Sequence, residues 1–225
     1  MGVTRYCVVP AEGVVDLPKV GGTKKANLDA IRALAPDLIV ANQEENDRRQ
    51  VETLIAEGWP VVVTLPGTVD EGIESIELLG RLTGRDEEAR RVAGGIRSRL
   101  ERLGPPPVPG RRVFCPIWKD PWMTANDQTF VHDVLARAGG ENVFAREAAR
   151  YPTVDPERIR ASGPEVVLLP DEPWAFSDED ARRLRAEVLP ELPAERFHRI
   201  DGQLLSWYGP RMADGVERFR RLLQP

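Results

Sequence analysis

Two kinds of apolar pattern alternate along the chain. Short runs, LIV at 38–40, VVVT at 61–64 and VVLL at 166–169, are too short for helices and suit buried strands of a parallel sheet. Elsewhere apolar residues recur every three or four positions, which predicts amphipathic helices over about 47–57, 69–82, 129–138, 178–189 and 212–223. The longest such stretch is 86–103, with Ala89, Val92, Ile96, Leu100 and Leu103 at helical spacing. Two more strands are predicted at 113–117 and 197–200. Helices alternating with strands imply an α/β fold with mostly parallel sheets covered on both faces.

One pattern is written twice. NLDAIRALAPDLIVAN from Asn27 and DPERIRASGPEVVLLP from Asp155 fall in register 128 residues apart (155 − 27). In each copy Asn27 or Asp155 is placed to cap a helix, and an acid, Asp29 or Glu157, follows where the positive helix end favours a carboxylate. Pro36 or Pro164 then stops the helix and an apolar run begins. The proline-rich GPPPVPG at 104–110 marks a joint. The expected organisation is an N-terminal lobe over 1–84, a linking helix over 85–104 and a C-terminal lobe over 105–225.

Composition narrows the function. At 225 residues, 41% hydrophobic, the chain buries a substantial core, and its net charge of −5, with basic residues interleaved among acids, excludes a nucleic-acid partner. No apolar run approaches the roughly 20 residues of a membrane span, so direct membrane insertion is excluded. The opening MGVTR lacks the charged and apolar regions of a signal peptide. Cys7 and Cys115 form neither a metal motif nor a disulfide framework.

Catalytic signatures are missing too: there is no G-x-S-x-G, Walker or G-x-G-x-x-G motif. His132 and His198 are the only histidines, and His132, inside the apolar TFVHDVL, reads as structural. No catalytic residue and no metal ligand is therefore assigned, and the chain is not read as an enzyme. Aromatic residues are the outlying feature. Trp118 and Trp122 in CPIWKDPWM, Trp174 in LLPDEPWAF, and Trp207 and Tyr208 in LLSWYGPRM lie in proline-bearing loops after predicted strands, and Tyr151 precedes the second repeat. Carboxyl ends of parallel strands form ligand crevices, and such rings suit a large planar or amphipathic ligand.

Taken together, GGTKKANLDAIRALAPDLIVANQEEN, WKDPWM, DQTFVHDVLARAGGENVF, RYPTVDPERI, LLPDEPWAF and LLSWYGPRM resemble the helical-backbone (class III) substrate-binding proteins of ABC importers, the cobalamin-binding type in particular. The resemblance spans nearly the whole chain. It implies two lobes joined by one long helix, with a bulky metal chelate carried non-covalently in the cleft: cobalamin or another corrinoid, with haem or a siderophore as variants. It further implies that Tyr6 and Tyr151 supply aromatic ligand contacts, and that Asp29 and Glu157 dock on arginines of a permease dimer in an extracytoplasmic compartment. Two departures stand out. The first βα unit of the N-terminal lobe is missing before GVTRYC, and Asp29 replaces the usual Glu. If Met1 is a true start, the alternative is a cytoplasmic corrinoid or small-molecule carrier, or an enzyme, using the same cleft.

Overall fold

The computed structural model describes residues 1–224. They separate into two compact units, Met1–Leu65 and a second beginning at Pro66. In the first, α1 (Ala11–Val14) and α2 (Leu28–Ala33) precede β1 (Ile39–Asn42), α3 (Arg48–Ala56) and β2 (Val61–Thr64). The predicted cap forms: the Asn27 side chain accepts from the Ala30 amide at 3.0 Å. β1 and β2 pair in parallel with Ile39 opposite Val61, and this sheet has two strands. Val40 and Val63 remain 51% and 44% exposed, unusual for a parallel sheet, whose faces are ordinarily covered.

In the second unit α4 (Val69–Leu82) and α5 (Asp86–Leu103) lead into β3 (Arg111–Phe114), α6 (Phe130–Arg137), β4 (Gly140–Asn142), α7 (Pro156–Ala161), β5 (Val166–Pro170), α8 (Asp178–Glu187), β6 (Phe197–Ile200), α9 (Gly202–Ser206) and α10 (Met212–Leu222). The break between units falls at 65/66 rather than the expected 84/85, because α4 packs on α5 and both are part of the second unit. Gly80 permits that approach: a Cβ there would lie 2.2 Å from the Cβ of Ala89. Arg97 adds a bidentate pair with Glu77 across the two helices, at 2.6 and 3.1 Å.

The helix expected to link lobes, 85–104, is α5, and its far end is fastened rather than loose. Gly104 ends it at φ 71°, a left-handed conformation glycine adopts without strain. Buried Arg220 then donates to the carbonyls of Leu103, Gly104 and Pro105 at 2.9, 3.0 and 3.1 Å, and also to that of Arg137. Its cation meets the negative ends of α5 and α6 together. Arg99 binds Asp214 and Glu217 of α10, so the 104–110 joint is flanked by fixed helices.

All four strands of the second sheet run parallel, in the order β4-β3-β5-β6. β5 is buried along its whole length, and its side chains alternate between two cores as a strand requires. Val166 and Leu168 join Val113, Ile96, Val134 and Phe219 on one face; Val167 and Leu169 join Phe114, Phe144, Ile159 and Phe176 on the other. Replacing Leu168 with alanine is expected to cost about 2–5 kcal/mol, read as a lower urea midpoint with an unchanged slope.

Strands β2 and β6 and helices α4 and α5 occupy their predicted residues. β3 starts two residues early and stops at Phe114, because Pro116 offers no amide for a longer ladder. β4, Gly-Glu-Asn, has no apolar run and exists through pairing with β3, Arg111 opposite Gly140.

Candidate functional site

Because β3, β5 and β6 are parallel, their carboxyl ends share one edge of the sheet, and the loops leaving those ends form a rim there. After β3 the chain doubles back: Ile117 donates to Met123 at 2.8 Å and Met123 to Trp118 at 3.0 Å. After β5 it runs through Pro173 to Trp174. These two loops bring Trp118 and Trp174 edge to face, 4.8 Å between centroids at 76°. Trp118 is 40% exposed, an open apolar ring above a supporting one. The third loop is pinned beside the second. The Gly202 amide donates to Asp171 at 2.8 Å, and a Cβ on Gly202 would lie 2.8 Å from the Glu172 carbonyl oxygen. Half-buried Trp207 follows at the end of α9.

Other predicted rings are placed differently. Trp122 stacks on Phe176 (6.0 Å, 3°) and meets Phe114 edge-on, so it is packed against the second core instead of standing clear on the rim. Tyr208 packs edge-on against Phe130 at 5.4 Å, and Tyr151 lies against the same first core with the Arg150 guanidinium 6.0 Å from its ring. Tyr6, in the first unit, is half exposed beside Arg5. Both repeat acids are exposed at helix starts. Asp29 forms a 2.6 Å pair with Arg32, which also grips Glu57; Glu157 makes no ion pair among the described residues, since Arg160 turns to the carbonyls of Val188 and Glu187.

Sequence reading missed Lys119 and Asp180. Lys119 Nζ donates to Asp180 Oδ1 and lies 5.3 Å from the Trp174 ring centroid. Burial pushes the Asp180 carboxyl up, but the bonds from Lys119 and Ser177 prevail and hold it below the usual range. A signal was present in S-D-E-D at 177–180, the spacing of a helix capping box, which places a carboxylate at the third helical position.

Two surface hollows of about 320 and 380 Å³ sit beside the 104–110 joint and contain none of the predicted site residues. His132 borders the first, its Nδ1 3.5 Å from Asn142 Nδ2. Burial lowers its pKa, with Asp127 and Asp133 pulling the other way, and burial likewise lowers that of His198. A histidine whose folded pKa lies below its unfolded value of about 6.5 binds fewer protons when folded. Stability is therefore expected to fall as pH drops below about 6.5, and H132Q should flatten that decline in melting temperature between pH 7 and 5. Cys115 is buried, its thiol pushed up to about 12, and both cysteines are free. Among the described residues no group of three His, Cys, Asp or Glu side chains is arranged to hold a metal ion, and no helix is long and apolar enough to cross a membrane.

A family model described as periplasmic binding protein matches residues 1–194. The chain belongs to this family. A vitamin B12-binding protein of Yersinia pseudotuberculosis is 28% identical over 214 residues, covering 91% of this chain and 74% of the relative. Among solved structures, the periplasmic vitamin B12 binding protein BtuF of Vibrio cholerae superposes with TM-score 0.82 at 24% identity, over 99% of this chain and 87% of that one. The periplasmic haem-binding protein RhuT of Roseiflexus sp. RS-1 does so with TM-score 0.80 at 21% identity, over 99% and 90%. The α/β fold with parallel sheets is thus that of class III binding proteins, as the sequence resemblance implied.

Proposed function

We propose that this protein is the extracytoplasmic solute-binding component of an ABC importer, and that its solute is a bulky metal chelate, cobalamin or another corrinoid. The observation that carries this reading is exposed Trp118, supported edge to face by half-buried Trp174 at the carboxyl edge of a parallel sheet. A corrinoid brings its metal already coordinated in its own ring, so aromatic and apolar contacts suffice to hold it. Charge supports the same choice. The cation beside the rings, Lys119, is taken by Asp180, while Asp120 and Asp171 present exposed carboxylates. Such a rim suits an uncharged chelate better than haem or a carboxylate-bearing siderophore. The relatives named as vitamin B12-binding add to it. Release would be to a permease dimer, with Asp29 and Glu157 as the docking acids. Calorimetric titration with cyanocobalamin, haemin and a ferric siderophore tests the proposal: saturable binding of cyanocobalamin, tighter than the other two, is expected, and binding of none of them refutes it.

A further inference from the structure

Lys119 touches both a ring of the exposed pair, Trp174, and the framework beneath it. Its ammonium bonds Asp180, whose other oxygen is fixed by the Ser177 amide at 2.8 Å and the Ser177 hydroxyl at 2.7 Å. Both partners are largely buried, with side-chain exposures of 19% and 8%. The same ammonium faces the Trp174 ring, and the residue before it in the chain is Trp118. One cation thus joins the loop after β3, the loop after β5 and the start of α8. A buried ion pair is a weak device for stability alone, because desolvation offsets its attraction. Here it lies against a ring pair of which Trp118 is 40% exposed and Trp174 half-buried.

We propose that Lys119 is a positioning residue for the aromatic rim, setting the Trp118–Trp174 geometry before any ligand arrives; this rests on the rim being the ligand site. Rings already ordered lose less side-chain freedom on binding, and the ligand gains that difference as affinity.

Three variants test it: K119M, which removes the charge but keeps the length; K119R, which keeps a cation able to reach both Asp180 and the ring; and the double variant K119M/D180N, which leaves no carboxylate buried alone. The ligand-free readout is the Trp–Trp exciton couplet in circular dichroism, assigned by its loss in W174A. K119M and the double variant should lose most of the couplet and bind cyanocobalamin about three- to tenfold more weakly, while K119R keeps both near parental values. An unchanged couplet in K119M and the double variant overturns the proposal, as does a K119R protein that behaves like K119M. If the parent binds none of the chelates, the ligand reading fails, while the couplet, read without ligand, still decides whether Lys119 sets the ring geometry. A couplet lost with affinity unchanged would show that Lys119 sets the ring angle but overturn its role in ligand affinity.

Discussion

Replacing Trp118 with alanine is expected to weaken cyanocobalamin binding by about 1–3 kcal/mol, roughly five- to 150-fold in Kd, while leaving the unfolding midpoint near the parental one. The separation follows from placement. Trp118 is 40% exposed and rests against Trp174, so the free protein gives up little packing when the ring is removed, whereas a ligand laid on it loses a large flat apolar contact. W174A should lose at least as much affinity, since it removes the support of Trp118 as well. Trp122 supplies the contrast: it stacks on Phe176 and packs, partly buried, against the second core, so W122A should cost about 2–3 kcal/mol of stability, more than W118A. Titration and urea unfolding on the same three variants decide the matter. A W118A protein with parental affinity would remove Trp118 from the site.

The contrast between Trp118 and Trp122 also marks how far the sequence could be read. Both sit in one nine-residue, proline-bearing segment after a strand, and composition treats them alike. What separates them is tertiary: the backbone pairing of Ile117 with Met123 turns one ring outward and presents the other to Phe176. Elements with strong local signals were legible, including α5 with its five apolar positions and the doubled cap–helix–proline–strand pattern, because those signals act within a few residues. β4 was not, since three residues without an apolar run become a strand only when β3 lies alongside. The Lys119–Asp180 pair spans 61 positions, and no local pattern couples them. The boundary at 65/66 was missed for a related reason: α4 looks like the close of the first unit by order in the chain, but Gly80 and Glu77 commit it to α5.

Charge reversal at the two repeat acids is expected to abolish permease-stimulated transport while leaving folding and ligand affinity near parental values. Neither carboxylate is buried and both lie at helix starts, so they are available to an external cation and add little to the fold. The two copies of the repeat nonetheless differ in a way that ranks the single variants. In the first, Arg32 already occupies Asp29 at 2.6 Å, so an incoming arginine must compete with a resident one. In the second, the equivalent Arg160 bonds the carbonyls at the end of α8, and exposed Glu157 has no ion pair among the described residues. E157K should therefore impair transport more than D29K, and R32Q, by freeing Asp29, should leave docking intact or strengthen it. The measurements are vitamin uptake or permease ATPase stimulation in reconstituted vesicles, with melting temperature and cyanocobalamin affinity as controls. Transport that survives the double reversal D29K/E157K would return the repeat to a shared habit of capping helices. Transport lost equally in both single variants would mean that Arg32 gives way to the partner at no cost.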